Sequence, residues 1–203
     1  ELASTWDREP FQRDAIWRGL DGCGADDLII ISDADEIPRP EAIPRGLAYG
    51  EIAVLRQRLF YYKLNMGCVE MSHMPWSAVI RKGDLVSPAQ LRERIVSVHS
   101  SLLAGGDVHD QFRIVENGGW HFSYLGTPEE TVAKIEAFSH DEYNSAEFKD
   151  VGAIRTAIGS GRDLFGRSLT FRRVSDSELP PYVLENRESL SKKGMFNDDA
   201  GAE

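Results

Sequence analysis

The chain has 203 residues, 41% hydrophobic and 28% charged, the composition of a globular domain long enough to bury a core without staples. Its formal net charge of −10 argues against a nucleic-acid partner, because basic clusters such as Arg92/Arg94 and Arg172/Arg173 sit among acids and form no basic face. Two distant cysteines, Cys23 and Cys68, offer no metal-ligand spacing, and no run nears the ~18 apolar residues of a membrane helix.

Residues 10–20 predict an amphipathic helix, with Phe11, Ala15, Ile16 and Leu20 near one face, Pro10 in the first turn and Gly22 and Gly24 beyond the end. Leu28-Ile29-Ile30-Ile31 lacks polar alternation and predicts a strand covered on both faces, as in a parallel sheet. That strand ends on Ser32-Asp33-Ala34-Asp35-Glu36, after which Pro38, Pro40 and Pro44 break the chain. Residues 52–64, with the aromatics Phe60-Tyr61-Tyr62, and residues 76–81 predict two more strands. Ser87-Pro88-Ala89-Gln90 has the form of a capping box and opens a short helix carrying Leu91 and Ile95.

Residues 111–115 and 120–125 predict strands joined by a turn at Asn117-Gly118-Gly119. Thr127-Pro128-Glu129-Glu130 caps a helix carrying Val132, Ile135 and Phe138. Val151, Ile154 and Ile158 predict another helix, closed by Gly159-Ser160-Gly161. From about Ser175 the chain is polar and its end reads as frayed. The expected division is therefore a main domain over 1–174 and a C-terminal extension over 175–203.

Asp33 and Asp35, one residue apart just past a buried strand, have the form of a site for a hard divalent cation. Mg²⁺ or Mn²⁺ takes a few carboxylate oxygens and completes its shell with water and substrate phosphates. A solvated turn or a helix cap is the alternative for a lone Asp-x-Asp. The apolar run ahead of it favours the metal, since three acids packed at a strand end repel one another unless a cation compensates. Two enzyme chemistries remain, metal-dependent phosphate hydrolysis and transfer of a sugar from a nucleotide diphosphate. The hydrolase reading lacks a second acidic pair at another strand end, the only later Asp-Asp being Asp198-Asp199 in the polar tail. A carbohydrate- or metal-binding module without turnover is a further alternative.

The string Asp33-Ala34-Asp35-Glu36-Ile37-Pro38 resembles the signature of glycosyltransferase family 17. The eukaryotic members of that family are β-1,4-mannosyl-glycoprotein 4-β-N-acetylglucosaminyltransferases. Phe11-Gln12-Arg13, Phe60-Tyr61-Tyr62, Trp76, Gly119-Trp120-His121-Phe122-Ser123, Thr127-Pro128-Glu129 and Tyr182-Val183-Leu184-Glu185-Asn186 continue the resemblance in order over nearly the whole chain. It implies a GT-A-like, Rossmann-related α/β fold, a mixed sheet flanked by helices. It also implies an inverting transfer, plausibly of GlcNAc from UDP-GlcNAc to a glycan or other hydroxyl acceptor. Asp33 and Asp35 would hold Mn²⁺ or Mg²⁺ and the diphosphate.

By analogy with such folds, His121 would complete the metal shell or act as the base, against the alternative of a core histidine bonded to backbone. Glu142, in the Ser139-His140-Asp141-Glu142-Tyr143 helix end, is a candidate acid or base, and Lys134 and Trp120 are candidate donor-binding residues. Each has a plain alternative: a polar helix end, a solvent-facing lysine and a core tryptophan. If residues 120–125 form a strand, Trp120 packs inward and His121 faces the other side. The chain opens on Glu1-Leu2-Ala3 and lacks the first nucleotide-binding strands of such a domain, so an N-terminally incomplete domain with an exposed sheet edge is expected. Localisation stays open, cytoplasmic for a microbial protein and the Golgi lumen for a fragment of a eukaryotic one.

Overall fold

The computed structural model describes residues 5–137 and 143–197. In chain order the elements are α1 (Thr5–Asp14), β1 (Leu28–Ile31), β2 (Glu36–Pro38), β3 (Ile52–Tyr61), β4 (Met66–Cys68), β5 (His73–Arg81), α2 (Pro88–Leu103), β6 (Phe112–Ser123), α3 (Pro128–Ala137), α4 (Val151–Ser160), β7 (Phe171–Arg173), α5 (Pro181–Glu185) and α6 (Arg187–Lys192). They form two compact units, residues 1–58 with 73–121, and residues 59–72 with 122–203.

The first unit has the strand order β1-β5-β3-β6-β2. β1 with β5, β5 with β3, and β2 with β6 are antiparallel. β6 runs beside β3 in the same direction: the Ile52 amide bonds the Gln111 carbonyl, and Arg56 pairs with Glu116 at 2.8 Å. The architecture is thus α/β with a mixed sheet and flanking helices. On one face Ile29, Ile31, Ile52, Val54, Ala78 and Ile80 pack with Leu91 and Ile95 of α2, a fully apolar core layer. The other face buries Ala53, Leu55 and Val79 under Leu28, Leu47 and Val115.

β1 differs from expectation. It lies at the end of the strand order, its neighbour is antiparallel, and Ile30 is 39% exposed while Ile29 and Ile31 are buried. A run of branched residues with no polar alternation reads alike for a two-faced strand and for an edge strand covered on one face. The expected turn at Asn117-Gly118-Gly119 is also absent. One strand, β6, runs straight through it, with Asn117 at φ 52° and Gly119 at φ 141°. The glycines serve close approach instead. A Cβ on Gly118 would stand 2.6 Å from the Leu55 Cβ, and one on Gly119 would strike the Ile37 carbonyl oxygen.

Pro10 lies inside α1, which starts earlier than expected, at Thr5. α2 is capped by Ser87, whose hydroxyl accepts from the Gln90 amide, and it runs a full 16 residues.

The second unit joins β3 to β4 at Phe60 and Gly67, and β4 to β7, both antiparallel. Thr127 and Glu130 cap α3 reciprocally: the Glu130 amide bonds the Thr127 hydroxyl, and the Glu130 carboxylate takes the Thr127 amide. α4 ends on Gly161 at φ 62°, the left-handed closure that a helix C-terminus favours. The polar stretch after Ser175 adds Leu179, Val183 and Phe196 to the buried set, and the Asn65 side chain donates to the Asn197 carbonyl and accepts from its amide.

Candidate active site

The acidic motif is the connection between β1 and β2 within the first unit. Ser32, Asp33, Ala34 and Asp35 form the loop, and Glu36 begins β2. Its three carboxylates have unlike surroundings. The Glu36 side chain is fully buried (0% exposed) and accepts from the Asp33 amide at 3.0 Å and the Ser77 hydroxyl at 3.0 Å. Ser77, itself buried in β5, shares a 2.7 Å bond with Ser32. Glu36 therefore folds the loop back on itself, and its burial is compensated by charge-assisted hydrogen bonds.

Asp33 meets two guanidinium groups. Arg13 of α1 donates to both of its oxygens, at 2.8 and 3.3 Å, and Arg92 of α2 donates to Oδ2 at 2.8 Å. Arg92 reaches Glu36 Oε1 at 3.2 Å as well, donates to the Trp76 carbonyl at 2.8 Å, and lies 4.7 Å over the Trp76 ring. Arg13 is steadied by Glu9 one helical turn back, at 3.0 Å. Burial alone would raise the Asp33 pKa, but the Arg13 hydrogen bond and the charges of Arg92 and Arg13 outweigh it and hold the carboxyl below its ordinary value.

The counter-charge that the acid cluster requires is thus supplied by the protein. Arg13 and Arg92 face the carboxylates of Glu9, Asp33 and Glu36, so the acids outnumber the guanidiniums at the loop. Sequence reading looked only to a metal for this compensation. Arg13 was visible within the Phe11-Gln12-Arg13 string and Arg92 as part of a basic cluster, but neither carries a signal of its partner across 20 and 59 residues of chain.

Asp35 faces His121 of β6. His121 stands opposite Glu36 in the β2–β6 register, and its Nε2 lies 3.6 Å from Asp35 Oδ1. Nδ1 is buried without a hydrogen-bond partner, so the Nε2 edge is the one turned toward the aspartate. Trp120, a candidate donor-binding residue, is 3% exposed, with the Arg39 guanidinium 4.2 Å above its ring. Lys134 belongs to the second unit, where its ammonium lies 3.4 Å from the Ser123 hydroxyl and 4.7 Å over the Tyr124 ring. Glu142 and His140 lie outside the described residues.

The model of the glycosyltransferase family 17 sequences matches residues 2–189, nearly the whole chain. The chain belongs to glycosyltransferase family 17. No curated protein and no solved structure matches it. As a family 17 glycosyltransferase it uses a nucleotide-sugar donor and a glycan acceptor. None of its described helices is long and apolar enough to cross a membrane. The loop between β1 and β2 brings together a buried acid, an arginine-held aspartate and an Asp–His pair.

Proposed function

We propose that this glycosyltransferase transfers GlcNAc from UDP-GlcNAc to a saccharide hydroxyl with inversion, and that Mn²⁺ or Mg²⁺ binds at Asp35 and His121. The observation that carries the metal assignment is the 3.6 Å between Asp35 Oδ1 and His121 Nε2. That is long for a hydrogen bond. Asp35 Oδ1 and His121 Nε2 would hold the cation, a carboxylate oxygen and an imidazole nitrogen being donors that Mn²⁺ accepts. Among the described residues no group of three or more His, Cys, Asp or Glu side chains could hold an ion alone. Such an ion would take only these two protein ligands, the rest coming from the donor phosphates and water, as is usual for Mg²⁺.

When bound, the cation would neutralise charge on the departing diphosphate. The protein's part is to hold the pair in position. Glu36 bonds the Asp33 amide and fixes the loop, and the β2–β6 ladder sets His121 beside it. Net negative charge at the loop favours a cation over an anion there. The acceptor proton then needs a base other than Asp33 or Glu36, whose oxygens already accept from arginines and hydroxyls.

The test is UDP release from UDP-GlcNAc with a saccharide acceptor, with and without Mn²⁺. Asp35→Ala and His121→Ala should each lower turnover about 100-fold or more and raise the Mn²⁺ needed for half-activity. Full activity in chelator would remove the metal from the reading. Absence of UDP release with any nucleotide sugar would favour a binding module.

A further inference from the structure

Asp33 is the first acid of the Asp-x-Asp pair, yet its carboxylate is committed elsewhere. Three guanidinium N–H groups converge on its two oxygens, at 2.8, 2.8 and 3.3 Å, from helices that precede and follow it in the chain. Its backbone is committed too: the amide donates to Glu36 Oε2 and the carbonyl accepts from the Glu36 amide, each at 3.0 Å. The two arginines are themselves fixed. Arg13 is anchored on Glu9, and Arg92 on the Trp76 carbonyl, the Trp76 ring and Glu36, with side chains only 18% and 16% exposed. A second tie joins the same helices where the Asp14 carboxylate accepts from the Ser87 hydroxyl at 2.7 Å and the Ala89 amide at 3.0 Å.

A divalent ion on Asp33 would have to displace one of these forks and then sit against the guanidinium it displaced, a like-charge contact in a partly buried setting. We propose that Asp33 is a positioning residue and not a metal ligand: it clamps α1 and α2 to the loop through Arg13 and Arg92 and thereby sets Asp35 opposite His121. The proposal rests on the assignment of the metal to Asp35 and His121. It divides the Asp-x-Asp pair by task, the first acid spanning the two arginines and the second facing the histidine. The planar fork of arginine is the part that lysine cannot replace, because Arg92 serves three acceptors and an aromatic face at once.

The experiment compares Asp33→Asn, Arg92→Lys and Asp35→Asn by three readouts. The free-Mn²⁺ electron paramagnetic resonance signal, titrated in the presence of UDP, reports metal affinity directly. Asp35→Asn should weaken it about tenfold or more, while Asp33→Asn and Arg92→Lys should leave it within about threefold. Turnover at saturating donor and Mn²⁺ should fall in both clamp variants by about 100-fold, the scale of an ångström misplacement in a site. Thermal melting in chelator should drop for Asp33→Asn, because two partly buried guanidiniums then lose a shared carboxylate. An Asp33→Asn variant that loses Mn²⁺ as Asp35→Asn does overturns the proposal, and so does one whose turnover and melting are both unchanged. If the unaltered chain binds no Mn²⁺ under these conditions, the metal assignment falls. The clamp is then decided by turnover and melting alone.

Discussion

Arg92 and His99 stand two helical turns apart on α2, and both lie against Trp76, the guanidinium 4.7 Å and the imidazole 5.0 Å from the ring. The indole Nε1 is buried without a hydrogen-bond partner, and burial holds the His99 pKa below the ordinary 6.5. A histidine whose folded pKa is depressed makes the unfolded chain the better proton acceptor. Stability should therefore be level above about pH 6.5, fall as the pH drops through that value, and level again below the folded pKa. Melting curves between pH 8 and pH 5 should show this slope, and His99→Gln should flatten it. An equal slope in that variant would assign the acid sensitivity to another group.

At the level of elements, β6 shows most clearly how backbone freedom builds the site. Between Asn117 and Gly119 the strand leaves regular geometry, with Gly119 at φ 141°, and it comes close to both β3 and β2. The departure lets the β2–β6 ladder continue with Pro38 opposite Gly119, Ile37 opposite Trp120 and Glu36 opposite His121. A one-residue slip in that register would turn His121 away from Asp35 and bring Trp120 toward it. Gly119→Ala would combine a strained φ with a clash on the Ile37 carbonyl. The expected cost is about 2–4 kcal/mol, read from urea unfolding, together with loss of turnover. Gly105→Ala is the control for strain without crowding, because it has φ 68° but open space around it. It should cost only about 1 kcal/mol and leave turnover unchanged. Equal effects of the two substitutions would show that close packing at Gly119 is not what holds the ladder.

Across the whole molecule, three of the six tyrosines lie in the aromatic layer of the second unit. Tyr61 stacks on Phe171 with centroids 4.6 Å apart, and Tyr62 and Tyr124 pack around it. Arg167 donates to the Tyr61 hydroxyl at 3.0 Å and pairs with the buried Asp163 at 2.6 Å. Burial is the main cause that raises the pKa of all three phenols, and the Asp163 charge adds to it. Phenols with raised folded pKa values contribute stability that is complete below the unfolded value near pH 10 and is lost as pH rises above it. Absorbance at 295 nm should therefore show the Tyr62 and Tyr124 phenols still protonated in the folded protein where free phenols ionise, and release them on unfolding. Tyr62 and Tyr124 ionising like free phenols would mean that the layer is open to hydroxide.

The same scale separates what the sequence determined by itself from what the tertiary structure decided. Capping at Ser87 and Thr127, the glycine closure of α4 and the presence of an acid cluster at a strand end are written in residues a few positions apart. Local hydrogen bonding and backbone freedom are enough to produce them. The family too was legible, because its motifs are contiguous strings. The burial of β1 and the path of β6 through Asn117-Gly118-Gly119 were not legible, since an apolar run does not say how many faces are covered and a glycine pair serves a turn or a close approach equally well. The charge balance of the site was the least visible. Asp33 finds Arg13 and Arg92 only when α1 and α2 pack beside the loop, and the Glu36 oxygens are satisfied only because Ser77 and Arg92 arrive from distant segments. An acid cluster states that positive charge must come, but folding decides whether it comes from a bound ion or from a guanidinium.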